Sequence, residues 1–362
     1  MMGVYTSESF AGHEAVVHCH DARSGLRAII AIHDRTLGPA LGGCRRWSYA
    51  SEAEALEDVL RLSEGMTWKN ALAGLPLGGG KAVIMADSDA GDRGRQWRAF
   101  AEAVDMLGGH YITAQDVGVS AGDIVEVSRF TRYAAGVDRR TGRPNDPSPM
   151  TALGVFHGIQ AAVDYRLGQS DLKGVRVLVQ GLGNVGTALC RHLSQAGARL
   201  HVNDTDLAKV DRAVSAFGAR AVPADVIFDT EAEVYAPCAL GGTLTRASIE
   251  RLRAPVVAGG ANNQLQEAQA GRWLHEKGIL YAPDYVINAG GVIAVAADAV
   301  SGMDQCDVRA RVAGIADTLR QIFARSEREG VATSEIADRM ARARVEAARA
   351  DAAAEPRLTR SG

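Results

Sequence analysis

Cysteine is scarce in this chain, and what there is does not pair. Its five cysteines (Cys19, Cys44, Cys190, Cys238, Cys306) are odd in number, widely spaced and never in a CxxC arrangement, which excludes a disulfide framework or zinc ribbon and fits a reducing compartment. No metal site is read. Long hydrophobic runs are also lacking. The longest, 286–300, is interrupted by Asn288 and Asp298 and is too short to span a bilayer. The N-terminal MMGVYTSESFAGHEAV has no basic segment followed by an apolar core, so no secretory signal is expected and the reading is cytoplasmic. Charge of one sign is missing as well. A formal charge of -3, with no basic face or base-reading motif, leaves no nucleic-acid partner to expect. No internal repeat is visible.

What is present is ordinary for a soluble enzyme: 47% apolar and 23% charged residues in 362 positions. That length exceeds the size at which one core stops growing, so two domains are expected. Segments 15–20 and 26–32 read as short strands joined by a turn at Arg23-Ser24-Gly25. Ser51 and Glu54 form a capping-box pattern ahead of Leu56, Val59, Leu60, Ser63 and Met66 at helical spacing. The segment 138–149, with Gly142, Pro144, Asn145, Pro147 and Pro149, is the richest cluster of breakers and the candidate boundary. Beyond it a helix from Thr151 leads into strands expected at 175–180, 200–203, 226–228, 234–236, 256–259 and 279–282 with helices between them, the pattern of a doubly wound parallel sheet. Val308, Val312, Ile315, Leu319 and Ile322 form the apolar stripe of one late helix, read as core packing.

The run Val175 to Gly186 places Gly181, Gly183 and Gly186 in a GxGxxG pattern directly after an apolar strand and at the start of a helix, with Asn184 and Val185 inside the motif. Glycines there permit a tight turn and close approach to a pyrophosphate, and the helix N-terminus offers N–H donors. Asp204 follows the next strand about 20 residues on, where a carboxylate accepts the ribose hydroxyl. Its charge disfavours a 2′-phosphate, so NAD is expected over NADP. The alternative is a plain βα turn with a loop-capping aspartate.

Lys69 and Lys81 lie twelve positions apart, and Lys81 directly follows Gly78-Gly79-Gly80. The glycines read as a turn that lets both amines face one ligand, one gripping an anion and the other acting as a base, since burial favours a neutral amine. Asp116 lies in the β-rich run 111–118, which ends in a turn. A nicotinamide cofactor moves a hydride, but oxidation at an amine or alcohol carbon also needs a group to manage protons. Taken singly, each of the three reads equally as a surface lysine, a lysine after a flexible loop and a turn aspartate.

Several strings in order change that balance: Gly38-Pro39-Ala40-Leu41-Gly42-Gly43, Met66-Thr67-Trp68-Lys69-Asn70, Gly78-Gly79-Gly80-Lys81, Gln115-Asp116-Val117-Gly118, Ala236-Pro237-Cys238-Ala239-Leu240-Gly241-Gly242, Gly260-Ala261-Asn262-Asn263-Gln264 and Ala282-Pro283-Asp284-Tyr285-Val286-Ile287-Asn288-Ala289-Gly290-Gly291. Together they resemble the glutamate/leucine/phenylalanine/valine dehydrogenase superfamily, nearest its leucine and valine branch. The resemblance implies an α/β chain of two domains, an N-terminal substrate domain (1–145) and a Rossmann-type doubly wound dinucleotide domain (146–333), separated by a cleft. A C-terminal helix, 334–362, would pack back on the first. It also implies a homo-oligomer.

By the same resemblance, Lys69 with the backbone of Gly42 and Gly43 binds the substrate carboxylate, Lys81 is the base on the attacking water, and Asp116 shuttles a proton to and from the nitrogen. Asn262 and Asn288 hold the nicotinamide end and the substrate amine, Thr151 belongs to the domain junction, and Cys238 and Ala239 join the cofactor site. Leu41, Ala114, Val292 and Val295 would line an apolar side-chain pocket. The implied reaction is reversible oxidative deamination of an L-2-amino acid to a 2-oxo acid and ammonia, with leucine, valine or isoleucine first and phenylalanine or tryptophan second. An NAD-binding regulator without activity and a hydroxy-acid dehydrogenase are the other classes. The latter would more naturally use a histidine, and none of the nine sits in a fitting motif. Two departures stand out: Gly43-Cys44-Arg45-Arg46-Trp47 where relatives carry Gly-Gly-Thr-Arg, and Asn145-Asp146-Pro147-Ser148-Pro149 where the branch is glycine-rich.

Overall fold

The N-terminal strands form the expected hairpin. In the computed structural model, which describes residues 3–86, 92–138, 141–300 and 303–354, β1 (Ala15–Asp21) and β2 (Leu26–Asp34) pair antiparallel from Ala15↔Ile32 to Asp21↔Leu26. They are followed by β3 (Ala40–Trp47), α1 (Glu52–Leu72), β4 (Gly78–Met85), α2 (Arg93–Met106), β5 (Tyr111–Gln115), α3 (Ala121–Ser128) and a small antiparallel ladder of β6 (Val137–Asp138) and β7 (Arg143–Pro144). The main sheet has the order β1-β2-β4-β3-β5. β4 runs antiparallel to β2, whereas β3 runs parallel to both β4 and β5. One face packs on α1 through Ile29, Ala31, Val83, Leu56, Val59 and Leu60. The other buries Ile30, Ile84, Trp97, Phe100 and Tyr111.

Ser51 caps α1, its hydroxyl accepting the Glu54 N–H at 3.2 Å, while the Glu54 carboxylate reaches the N–H of Ala50, one residue before the cap. The helix does not stop before Lys69 but carries it in its last turn.

Gly78-Gly79-Gly80 corrects the sequence reading. These glycines form no turn; they open the central strand β4, buried along Gly78–Ile84. Their role is steric. A Cβ on Gly79 would lie 2.1 Å from the backbone nitrogen of Thr67 in α1, and one on Gly80 would meet the Tyr111 ring at 2.8 Å. Bare backbone lets the lysine-bearing helix rest directly on the lysine-bearing strand.

The chain divides into two compact units: Met1–Asp146 with Val295–Met303 and Met340–Gly362, and Pro147–Ala294 with Asp304–Arg339. No sequence pattern announced the return of 295–303 to the first unit. Asp298 secures it, accepting the Gly136 N–H at 3.0 Å and the Asn145 side-chain amide at 3.2 Å.

In the second unit, α4 (Ser148–Leu167) leads to a parallel sheet of order β10-β9-β8-β11-β12-β13. Its strands are β8 (Arg176–Gln180), β9 (Arg199–Asn203), β10 (Arg220–Ala221), β11 (Val234–Pro237), β12 (Val256–Val257) and β13 (Leu280–Tyr281). The helices that follow α4 are α5 (Asn184–Gln195), α6 (Leu207–Phe217), α7 (Arg246–Arg251), α8 (Ala270–Glu276), α9 (Asp284–Ile287), α10 (Gly290–Ala296), α11 (Gln305–Ala313), α12 (Ile315–Glu329) and α13 (Thr333–Ala354). Doubly wound order is thus present.

Two sequence expectations fail here. Segment 226–228 is no strand but a turn, with the Asp229 N–H on the Val226 carbonyl, and Phe228 packs edge-on against Tyr235 instead of entering the sheet. The late helix is broken at Gly314 into α11 and α12, although Val308, Val312, Ile315, Leu319 and Ile322 are all buried as the stripe requires.

The C-terminal part of α13 packs on α1. Arg344 donates to the carbonyls of Ala71 (2.7 Å) and Leu72 (3.4 Å) at the C-terminal end of α1, where a cation suits the helix dipole, and Arg342 stacks over Trp68. Positions 355–362 of the helix expected over 334–362 lie outside the described residues. Among the described residues no helix is long and apolar enough to cross a membrane.

Substituting Gly79→Ala forces a methyl into backbone that cannot yield, and overpacking of this kind costs roughly 3 kcal/mol. Denaturant titration should show that loss. Wild-type stability in the variant would refute the close-approach argument.

Candidate active site

In the first unit the strands bring together groups far apart in sequence. Lys81 continues β4 past the glycines, and its side chain is only 7% exposed. An ammonium so buried needs an anion, and Asp116 supplies it: Nζ and Oδ2 are 2.9 Å apart. Asp116 lies just past β5, beside Gly43, where a Cβ would fall 2.8 Å from the Asp116 Cβ. Burial on its own would raise the Asp116 carboxyl. The Lys81 ammonium and the Arg45 guanidinium outweigh it and hold the carboxyl below the usual range.

Lys69 lies half-buried in the last turn of α1. Gly42 and Gly43 pair with Thr113 and Ala114 across β3 and β5, and the buried Tyr111 hydroxyl donates to the Gly42 carbonyl at 2.8 Å. A Cβ on Gly42 would lie 1.7 Å from the Gly80 carbonyl oxygen. The glycine pair is therefore demanded by packing as well as by any ligand.

In the second unit, Gly181 turns the chain out of β8 with φ +97, a conformation that favours glycine, and a Cβ on Gly186 would lie 1.9 Å from the Gly181 carbonyl oxygen. A Cβ on Gly183 would meet nothing within 4 Å. The residue caps α5 without a side-chain hydrogen bond, so N–H groups at the helix start are left for a ligand, Asn184 and Val185 among its first residues. Asp204 follows β9 and accepts the Leu182 N–H at 2.6 Å and the Asp206 N–H at 2.8 Å. Burial opposes its charge, but these donors hold its carboxyl below the usual range. Each oxygen keeps acceptor capacity for a hydroxyl. The residues fit a dinucleotide: a cradle closed to side chains at Gly186, open at Gly183, and an ionised acid at the neighbouring strand end.

Cys238 follows β11 and Ala239 faces Gly181, where a Cβ would meet the Ala239 nitrogen at 2.7 Å. Burial pushes the Cys238 thiol up to about 11, so it stays a neutral packing group. Asn288, buried, donates its amide to the Asn262 side-chain oxygen at 2.7 Å, which joins two of the expected residues. Thr151, near the start of α4, lies against Gly291, where a Cβ would be 2.5 Å from its hydroxyl. The expected pocket residues divide. Leu41 and Ala114 are buried neighbours in the first sheet, Val292 belongs to the second unit, and Val295 belongs to the segment assigned to the first.

The residues missed from sequence are Arg45 and Asp58. Arg45 Nε is 3.2 Å from Asp116 Oδ2 and its Nη1 is 2.9 Å from Asp58 Oδ2. One signal existed: Asp58 precedes Lys69 by eleven positions, about three helical turns, and so shares its stripe of α1.

Comparison with known proteins accords with both halves. Residues 13–133 match the family model described as Glu/Leu/Phe/Val dehydrogenase, dimerisation domain, and residues 142–206 and 200–353 match that of Glutamate/Leucine/Phenylalanine/Valine dehydrogenase. The chain is 49% identical over 334 residues to leucine dehydrogenase of Thermoactinomyces intermedius, covering 92% of this chain and 91% of the relative. It is 43% identical over 345 residues to phenylalanine dehydrogenase of Bacillus thermotolerans, covering 94% and 90%. Among solved structures it is similar to L-tryptophan dehydrogenase from Nostoc punctiforme, with a TM-score of 0.83, 44% identity, and coverage of 94% and 97%.

Asp116→Asn strands two cations in a poorly solvated site and should cost about 3 kcal/mol at neutral pH. Because the folded carboxyl is depressed, its contribution is complete above the ordinary carboxylate range and is lost as pH falls through the lowered value. The stability gap between wild type and variant should therefore close toward pH 3. A gap constant from pH 7 to pH 3 would contradict the pairing.

Proposed function

Because this chain is an amino acid dehydrogenase of the Glu/Leu/Phe/Val family, we propose that it catalyses the reversible NAD-dependent oxidative deamination of an apolar L-amino acid, with leucine, valine or isoleucine preferred. The overall change is amino acid plus NAD and water to 2-oxo acid, ammonium, NADH and a proton. The observation that carries this reading is the 2.9 Å pair of Lys81 and Asp116, a buried acid and base in contact beside a glycine-lined strand end.

Lys69 and the backbone at Gly42 and Gly43 hold the substrate carboxylate, an anion suited to an ammonium and close donors. Bound at the glycine cradle, NAD supplies the acceptor for the substrate hydride. Asp116 takes a proton from the substrate nitrogen, so that its lone pair forms the C=N bond as hydride leaves the α-carbon. Lys81, in its unprotonated form, then takes a proton from the water that attacks the iminium carbon, and Asp116 returns a proton to the departing nitrogen. The Asn262 and Asn288 amides hold the nicotinamide end and the amine, and Thr151 completes the site.

An acidic substrate side chain beside the buried Leu41 and Ala114 would be left unpaired, which disfavours glutamate. Aliphatic and aromatic substrates differ by only about 1–3 kcal/mol in an apolar pocket. The likeness to an L-tryptophan dehydrogenase over nearly the whole chain makes aromatic amino acids the second reading. The ionised Asp204 supports NAD over NADP. β1, an edge strand of its sheet, and the match to a dimerisation domain support a homo-oligomer.

An NADH-formation assay across the twenty amino acids decides the substrate: highest kcat/KM with a branched aliphatic side chain is expected, and a maximum with tryptophan or phenylalanine would favour the second reading. Lys81→Ala should lower turnover by at least about 100-fold, and unchanged turnover would overturn the mechanism. Removing one repulsive charge by Asp204→Asn should shift the NADP-to-NAD ratio of kcat/KM upward by about tenfold, the equivalent of about 1.4 kcal/mol. An unshifted ratio would remove Asp204 from cofactor choice.

A further inference from the structure

Two cations converge on a single oxygen of Asp116. Lys81 Nζ and Arg45 Nε lie 2.9 Å and 3.2 Å from Oδ2, while Oδ1 has no side-chain partner among the described residues. Register explains the convergence. β3 and β4 run parallel with Arg45 beside Val83 and Cys44 beside Ala82, so Arg45 shares with Lys81 the face covered by α1. From there its other end reaches Asp58 on α1 at 2.9 Å. Asp58 is itself fixed, accepting the Tyr49 hydroxyl at 2.7 Å and pairing with Arg61 at 2.8 Å. Arg45 and Asp58 are 18% and 15% exposed, too enclosed for an incidental surface pair.

We propose that Arg45 is a positioning residue for the reaction: it pins Asp116 Oδ2 so that Oδ1 is presented to the substrate nitrogen, and Asp58 ties this latch to the helix that carries Lys69. The inference rests on the roles given above to Lys81 and Asp116. Its physical reason lies in what changes during turnover. A base must lose its charge to act, so Lys81 cannot serve as a constant counter-ion. A guanidinium keeps its charge throughout and holds a carboxylate by directed N–H donors. The other titratable groups facing Asp116 are Cys44, Tyr49 and Tyr111, all pushed up by burial and so neutral at physiological pH, and the Val117 N–H adds a fixed donor. Arg45 therefore gives Asp116 a charge that stays constant through turnover.

Four proteins test this: wild type, Arg45→Gln, Arg45→Lys and Asp116→Asn, each assayed for kcat and KM against pH with L-leucine and NAD, with the Asp116 carboxyl titration followed by 13C NMR in the first three. In Arg45→Gln the Asp116 titration and the acid limb of kcat/KM should both move up by about one unit or more, since an opposite charge at this range is worth about one to three units. kcat should fall by roughly 100-fold, with a smaller change in KM because Lys69 still holds the carboxylate. Arg45→Lys restores the charge but not the fork, so it should return the titration toward wild type while kcat stays low. An Arg45→Gln protein with an unmoved Asp116 titration and acid limb overturns the inference, even if a general loss of stability lowers its activity. Should that variant fail to fold, Asp58→Asn loosens the latch while leaving the Arg45 charge in place. A several-fold loss of kcat with little shift of the limb is then expected, and wild-type kcat overturns the inference. Failure of the underlying reading looks different: Asp116→Asn would keep full turnover whatever the Arg45 variants do.

Discussion

A buried ammonium is tolerated only beside an anion, and much of the N-terminal unit answers to that requirement. Lys81 lies buried in the centre of its sheet, so its charge must be met within the fold. Asp116 meets it from β5, and Asp116, held by two cations, draws in Arg45 from β3 and through it Asp58 from α1. Three strands and a helix are thus registered to one another by a chain of opposite charges. The same chain sets the chemistry, because it places an ionised acid against a lysine where water is scarce.

That arrangement needs the helix and strand to approach more closely than side chains permit. The glycines of β4 answer this by removing the side chains, with Gly79 against the backbone of Thr67 and Gly80 under the Tyr111 ring. Lys69 and Lys81 thereby sit on two elements in direct contact. At the C-terminal end of α1, Arg344 adds charged donors to the carbonyls of Ala71 and Leu72. The turn bearing Lys69 is braced from both sides, by strand backbone below and by guanidinium groups at its end.

The second unit obeys a different constraint, the close approach of backbone at the turn between β8 and α5. Gly181 and Gly186 meet it by carrying no Cβ, and Asp204 holds the turn by accepting the N–H of Leu182. Here sequence and structure agree closely because every part is local. The fingerprint, the strand before it, the helix after it and the acid at the next strand end follow from short spacings. The turn at 226–228 shows the limit of that reasoning. Three apolar residues suit a strand or a plug equally, and only the place of Tyr235 in the neighbouring strand decides that Phe228 packs against it.

From sequence alone came the α/β class, the hairpin, the capped helix, the glycine fingerprint between its strand and helix, and Lys69, Lys81 and Asp116 as candidates, since these rest on periodicity, caps and short motifs. Tertiary structure decided what the glycines are for, because a turn and a close strand–helix contact demand the same residue and differ only in what lies across from it. It also decided the partners of Asp116. Arg45 is one residue among eleven between Pro39 and Ser51 that no spacing singles out, and Asp58 one acid on an exposed-looking stripe. Their pairing spans β3, β5 and α1, and a charge pair across elements leaves no period in the sequence. It exists only where the register of parallel strands turns both side chains toward the same face.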